Sequence, residues 1–245
     1  MSNVRGCNKA PGEYRRLPNW IGKPGSTIEQ AEYIPISADK LPDAMSNWEK
    51  YIHEKTPDVL VQLAILHAEF ESLHPFLDGN GRLGRMIVPL FLYSKESLHR
   101  PMFFISSYLE SHRDEYYERL RAVSRDGDWT GWCKFFLNAI IHQAKENLDK
   151  TKAILGLYDY KKDVIAEATR SQYGIKALDF LFSNPIFSSS KFVANAGIPR
   201  PTASRILQVL KQKDVLKTVS EAKGQRPATL VFWKLLTIIE RHQDD

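Results

Sequence analysis

Between two stretches of helical periodicity the chain reads HPFLDGNGRLGR, from His74 to Arg85. Upstream, Val59, Leu60, Leu63, Leu66, His67, Phe70 and Leu73 recur every three or four residues, the spacing of a buried helix. That helix must end near His74, because Pro75 disfavours the α conformation in the residue before it. Downstream, an apolar helix starts near Gly81 or Arg82 and runs to Tyr93 with Pro89 inside it. The pattern predicts two central helices joined by a tight polar loop, hung from the end of the first.

Each residue of that loop has a chemical use. Gly79 and Gly81 let the backbone approach an anion, since no Cβ stands in the way. N–H groups at the start of the next helix point at the same spot and favour negative charge there. Asp78 is the hard oxygen ligand that a Mg²⁺–phosphate site needs, with phosphates and water completing the shell. Arg82 and Arg85 offer planar forks that match phosphate oxygens. His74 can accept a proton at neutral pH. Asp-Gly and Asn-Gly are also ordinary turn dipeptides, so DGNG alone would be read as a turn. What speaks against that here is a base, a metal ligand, an anion cradle and two arginines within one short run.

Two neighbours invite a further metal or dyad reading, His67 and Glu71. His67 falls on the same apolar face as Phe70 and reads as a satisfied core histidine, and Glu71 reads as a brace for the loop. No apolar run approaches the roughly 20 residues of a membrane span. The polar, basic start is no secretory signal, and Cys7 and Cys133 suggest neither a disulfide framework nor a zinc site. A cytoplasmic protein is expected.

Charge divides the chain. Residues 1–172 balance 23 Lys+Arg against 23 Asp+Glu, whereas residues 173–245 carry 11 against 6, so the formal net charge of +5 lies in the C-terminal piece. Different partners for the two parts are expected. Up to about Lys40 the chain is rich in Pro and Gly, and Thr27–Ile34 alternates as a β-hairpin would. Helices are predicted over Pro42–Glu54, Ser107–Val123 and Trp129–Lys152, the last capped by Asp128, with a linking helix over residues 156–172. From Tyr173 follow short helices at Ile175–Phe182, Lys191–Ala196 (capped by Ser190) and one ending near Lys213. Strand-like runs at Val215–Ser220 and Ala228–Trp233 flank Lys223-Gly224-Gln225-Arg226-Pro227. Three small helices and a two-stranded ribbon with a basic tip describe a winged helix-turn-helix over residues 173–245. Arg200, Thr202, Arg205 and Gln208 are the candidates for groove contacts, and Lys223 and Arg226 for phosphate contacts from the wing.

Position for position, residues 74–85 resemble the HPFx(D/E)GNGRxxR signature of the Fic family. Weaker echoes are Pro11-Gly12-Glu13-Tyr14-Arg15, Asn19-Trp20-Ile21-Gly22, Tyr33-Ile34-Pro35, Glu115-Tyr116-Tyr117 and Gly127-Asp128-Trp129. The resemblance implies a mainly α fold: a helical catalytic core over residues 1–155, with a β-hairpin flap within residues 1–40. It also implies a protein adenylyltransferase, moving AMP from ATP to a Ser, Thr or Tyr hydroxyl of a target protein. His74 would be the base and Asp78 the Mg²⁺ ligand. Gly79, Asn80 and Gly81 would cradle the α- and β-phosphates, Arg82 would face the leaving pyrophosphate and Arg85 the γ-phosphate. Phe76 would anchor the loop in the core. Tyr117 would contact adenine, and Ile28, Glu29, Gln30 and Ala31 would form the flap that aligns the target's backbone.

Other readings are phosphoryl or phosphocholine transfer on the same scaffold, or a DNA-binding regulator with a vestigial enzyme domain. Gly79 and the intact Arg85 favour ATP. Pro35-Ile36 stands where many relatives carry two prolines. The family's inhibitory [S/T]xxxE[G/N] helix has no match, Glu146-Asn147 coming nearest with His142 in place of Ser or Thr. Arg85 is therefore expected to lack a glutamate partner within the chain: either the enzyme is unrestrained and active without removal of any inhibitor segment, which is the preferred reading, or an inhibitory helix comes from a separate polypeptide or from a longer reading frame beginning before Val4-Arg5-Gly6. No oligomeric state is specified by the sequence.

Overall fold

The computed structural model describes residues 12–22, 27–223 and 226–240. Cys7, the Val4-Arg5-Gly6 segment, Pro11, Gly224 and Gln225 lie outside these. The chain forms two compact units, residues 1–144 and 145–245.

In the first unit, α1 (Leu41–His53), α2 (Val59–Leu73) and α3 (Asn80–Ser94) surround the loop. Asp58 starts α2 by accepting from Leu60 N–H at 2.8 Å and Val61 N–H at 3.1 Å, which satisfies two orphan donors of the first turn. α2 is apolar on most faces because it is covered on most faces. Leu63, Leu66, Val88, Phe91, Trp132 and Phe136 form one core around it, and Leu41, Met45, Phe70 and Leu73 a second. Two indoles fix it further, Trp48 Nε1 donating to Leu66 O (2.9 Å) and Trp132 Nε1 to Ala64 O (2.8 Å).

The expected helix over Ser107–Val123 is two helices, α4 (Ser106–Ser111) and α5 (Arg113–Asp126). They break at His112, where Ser111 Oγ and the His112 ring both bond the Tyr108 carbonyl, each at 3.0 Å. Side chains there compete with the helical ladder. α5 stops at Gly127, left-handed at φ 68°, and Asp128 caps the next helix by accepting from Gly131 N–H at 2.8 Å. That helix, α6, runs unbroken over Trp129–Thr169. The two predicted helices, Trp129–Lys152 and the one over residues 156–172, are thus one, and Gly156 sits inside it at a cost of about 1 kcal/mol. Ile154, Leu157, Tyr158 and Ile165 pack in the core of the second unit, so this stretch belongs to the C-terminal unit and is not a linker.

The second unit continues with α7 (Gly174–Ser183), β1 (Ile186–Ser188), α8 (Ser189–Asn195), α9 (Arg200–Gln212), β2 (Lys217–Ser220), β3 (Thr229–Val231) and α10 (Trp233–Glu240). The strands form an antiparallel sheet in the order β1-β3-β2, with Leu230 opposite both Phe187 and Thr218. Leu178, Leu181, Phe192, Ile206, Leu210 and Phe232 lie in its core. Neither β1 nor α10 was expected: β1 is three residues long behind Pro185, and the last strand stops at Val231 because Trp233 begins a helix. Ser188, not Ser190, caps α8, accepting from Lys191 N–H at 3.2 Å.

The flap departs most from expectation. Thr27–Ile34 does not form a hairpin of strands. Ile28–Gln30 is a 3₁₀ turn, in which Thr27 N–H bonds the Gln30 side chain at 3.3 Å. One antiparallel bridge, Ile21 to Tyr33, closes the segment. The T-x-x-Q spacing is that of a capping box, and this turn chemistry overrides the weak alternation.

Candidate active site

His74 closes α2 as its C-cap, with its backbone left-handed at φ 46° and ψ 58°. Its N–H still bonds Phe70 O at 3.1 Å, so the chain turns sharply away while the ring stays at the helix end. Six residues later, at Asn80, the loop is locked. Phe76 N–H donates to Asn80 Oδ1 at 2.9 Å, and Asn80 Nδ2 donates back to Phe76 O at 2.7 Å. The carboxamide of Asn80, 2% exposed, is thereby committed to the loop, and only its main chain remains for an anion. The Phe76 ring packs on the Leu41–Phe70 cluster and stands 5.7 Å from Tyr14, as an anchor should.

Gly79 is left-handed at φ 88° and caps α3. Leu83 N–H makes the first bond of this helix, to Gly79 O at 3.0 Å, so the amides of Asn80 and Gly81 sit in its positive first turn without an intrahelical acceptor. A Cβ on Gly79 would lie 3.5 Å from a guanidinium nitrogen of Arg82, and one on Gly81 would lie 3.3 Å from Nη1 of Arg85. Both arginines therefore fold back over the glycines beside those amides. Asp78 is exposed next to them. Among the described residues no three His, Cys, Asp or Glu side chains form a metal cluster. The donor set fits a cation that takes one carboxylate here and its other oxygens from phosphate and water.

Beneath the loop lies a buried polar group. His67, fully buried, bonds Gly84 O at 3.1 Å through Nδ1 and the Tyr116 hydroxyl at 3.0 Å through Nε2. Since a carbonyl only accepts, Nδ1 carries the proton. Burial, with the Gly84 bond opposing it and the Arg85 charge adding to it, lowers the His67 pKa to about 4. It is a satisfied core histidine. Glu71 is wedged against α3: a Cβ on Gly84 would fall 2.2 Å from its Oε1. Burial raises its carboxyl to about 7, opposed by the charge of Arg85. The charge of Arg85 thus acts on the Glu71 carboxyl. At His74 burial lowers the imidazole pKa, the Glu71 backbone carbonyl opposing this and the Arg15 charge adding to it. The ring is held neutral, which is the form a base needs.

These shifts predict a pH dependence. Glu71 is raised from 4.5 to about 7, so its contribution to stability is complete below pH 4.5 and lost as pH rises through 7. His67 acts in the opposite sense: its contribution is present above pH 6.5 and lost as pH falls through about 4. Relative to a Glu71→Gln variant, the wild-type unfolding free energy should fall by about 3 kcal/mol between pH 4.5 and 8. Urea unfolding of both proteins across that range measures it, and a difference flat in pH would place the carboxyl in water instead.

A cavity of about 50 Å³ reaches the last turn of α2, lined among others by Ile21, Tyr33, Glu71, Tyr117, Leu120 and Arg121. Tyr117, expected at a base-binding position, is thus at a largely apolar pocket. The wall residues Ile21, Tyr33, Leu120 and Arg121 were not foreseen, nor was the Glu32–Arg121 ion pair at 2.9 Å that ties the flap segment to α5. Ile28, Glu29, Gln30 and Ala31 do not border this cavity, and the 3₁₀ turn denies Ile28–Gln30 a strand edge. Arg15 was also missed as a functional residue. It is 3% exposed and bonds the carbonyls of Leu73, His74 and Ile36.

In the second unit, Arg200, Thr202 and Gln208 lie on α9, and Arg200 borders an open hollow with Ser189, Ser190 and Ser204. Arg205 is engaged elsewhere, donating to Thr169 O at 3.0 Å at the end of α6. Lys223 and Arg226 pair through their backbones, each N–H bonding the other's carbonyl at 3.0 Å, and both side chains are exposed. Among the described residues no helix is long and apolar enough to cross a membrane.

Comparison with known proteins agrees with the loop. Residues 2–92 match the Fic/DOC family. A probable protein adenylyltransferase of Aquifex aeolicus is 35% identical over 79 residues, 31% of this chain and 24% of that protein. A Fido domain-containing protein of Dictyostelium discoideum is 38% identical over 71 residues, 29% of this chain and 45% of that protein. The matched segments thus span less than half of either relative. A crystal structure of a Fic family protein from Desulfovibrio desulfuricans G20 superposes with a TM-score of 0.53 at 22% identity, covering 90% of this chain and 62% of the other. That last likeness concerns the fold alone.

Proposed function

We propose that this chain, which carries a Fic/DOC family domain, is a protein adenylyltransferase that moves AMP from ATP to a Ser, Thr or Tyr hydroxyl of a target protein. The observation that carries this reading is one juxtaposition: a half-buried His74 at the end of α2, its pKa lowered by burial, beside a loop whose helix-start amides and two arginines favour a polyphosphate. In the step, His74 takes the proton of the acceptor hydroxyl. The oxygen forms a bond to the α-phosphorus, the bond from that phosphorus to the α,β-bridging oxygen breaks, and pyrophosphate leaves. Gly79, Gly81 and the main chain of Asn80 cradle the α- and β-phosphates, Arg82 compensates charge on the leaving group and Arg85 serves the γ-phosphate. Asp78 would hold Mg²⁺, which supplies charge neutralisation along the phosphates. Tyr117 and its cavity take the base. The target's main chain would lie beside the Ile21–Tyr33 bridge, not along the 3₁₀ turn.

Intact-mass and peptide mass spectrometry of the protein incubated with ATP·Mg²⁺ and candidate host proteins tests this directly. The expected result is one added AMP on a hydroxyl side chain, of the chain itself or of a target. An added phosphate or phosphocholine would move the assignment to another transfer on the same scaffold.

The second unit supports a second role, duplex DNA binding through a winged helix-turn-helix. α8, the turn through Gly197 and α9 have the required order, and β2 and β3 form the ribbon. Arg200, Thr202 and Gln208 would face the groove, and Lys223 and Arg226 phosphates. Arg205 is withdrawn from that set by its bond to Thr169 O. Binding to a duplex should weaken steeply with salt as counterions are released, and fluorescence anisotropy between 50 and 200 mM salt, a range over which the loss is roughly 10³-fold for several phosphate contacts, measures it. No binding at low salt would leave this unit a protein-contact module.

A further inference from the structure

Arg15 stands 59 residues before His74 in the chain, yet its Nε–H donates to His74 O at 3.0 Å. Its Nη2 reaches Leu73 O at 3.3 Å and also bonds Ile36 O, and its own main-chain N–H donates to Pro75 O at 2.9 Å. One buried residue therefore engages the carbonyls of three consecutive residues, 73 to 75, where α2 runs out of N–H donors for its last carbonyls. The positive guanidinium also lies at the negative end of the helix dipole. A planar fork can serve several carbonyls at fixed angles, which an ammonium on a flexible stem cannot.

This clamp falls where the backbone needs one. A non-glycine residue in the left-handed region costs of order 1 kcal/mol and persists only where its surroundings over-determine it. His74 is such a residue. Its N–H is tied to Phe70 and its carbonyl to Arg15, so both peptide planes that set the origin of the imidazole are held. The third bond of Arg15, to Ile36, joins the same clamp to the chain just beyond the Ile21–Tyr33 bridge.

We propose that Arg15 is a positioning residue for His74: it fixes the left-handed turn from which the imidazole projects. This rests on reading His74 as the base. The ionisable groups on the segments that meet here are Arg15 from the N-terminal segment, Tyr33 beside Arg15, Glu71 on α2, and Asp78, Arg82 and Arg85 further along the loop and α3. Of these, Arg15 and the Glu71 carbonyl act on the ring itself.

The test uses the full chain with Arg15→Lys and Arg15→Met. Long-range ¹H–¹⁵N spectra of histidine-labelled protein follow the titration of each of the seven histidines, His74 being assigned by its loss in His74→Asn. In Arg15→Met the His74 ring should titrate at higher pH than in the wild type, while His67 stays neutral. In Arg15→Lys, which keeps the charge and loses the fork, kcat should fall by roughly 10–100-fold from misplacement of the base, with the affinity for ATP·Mg²⁺ unchanged. If Arg15→Met does not fold, Arg15→Lys alone decides, because the proposal requires its kcat and nucleotide affinity to separate. An unmoved His74 titration, or a Lys variant with wild-type kcat, would overturn the role given to Arg15. The titration is read without any turnover, so a chain that transfers no AMP leaves that arm intact and counts against the proposed function alone.

Discussion

Replacing His74 with Asn should lower AMP transfer by about 10²–10⁴-fold, the usual worth of a general base, and leave the affinity for ATP·Mg²⁺ close to wild type. The separation follows from geometry. The imidazole belongs to the C-cap of α2, whereas the groups that favour phosphate belong to the first turns of α3 and the glycine that caps it. Asparagine is the right replacement because it tolerates the left-handed backbone at this position. Alanine would add strain and confuse a chemical loss with a structural one. Calorimetric titration of nucleotide beside a rate measurement separates the two quantities. Wild-type turnover in His74→Asn would remove the imidazole from the chemistry altogether.

Asn80→Ala should do the reverse, losing nucleotide binding and stability together. Its two bonds to Phe76 hold the loop closed. Phe76 O keeps a second donor in Asn19 Nδ2 at 3.3 Å, but Phe76 N–H would lose its acceptor. The cost should be about 2–4 kcal/mol, two hydrogen bonds with one donor left unsatisfied. Asn80→Asp refines the point, since a carboxylate can accept from Phe76 N–H but cannot donate to Phe76 O. It should fall between wild type and Asn80→Ala in denaturant midpoint and in nucleotide affinity. Equal midpoints for all three proteins would mean that the loop keeps its shape without the clamp.

The part of this fold written locally was legible. Periodicity found α1, α2 and α3 within a residue or two, Asp128 caps as its position suggests, and His67 is the core histidine that its apolar face implied. The candidate loop was legible because its residues are consecutive. What was not legible depends on contacts far apart in the chain. Arg15 acts through main-chain carbonyls, which leave no trace in side-chain pattern. Ile21, Tyr33, Leu120 and Arg121 meet at a cavity from two segments about 90 residues apart, and no spacing rule connects them. In the flap, a capping-box spacing and a weak alternation occupied the same eight residues, and the local hydrogen bonds of the turn prevailed. The second unit hid β1 and α10 because one is too short to show a period and the other begins where a strand had been expected to end.

The unbroken α6 has a practical consequence for anyone dividing this protein. Composition changes at Tyr173, and a cut there looks natural. It would strand Ile154, Leu157, Tyr158 and Ile165 on the surface of the N-terminal fragment, because the rest of the core they pack in lies beyond it. Four apolar side chains on one exposed helix make an adhesive patch, and a fragment that carries it should self-associate on purification. The same helix severed after Ala144 leaves those residues with their own core, so the seam of this protein runs through the middle of a helix.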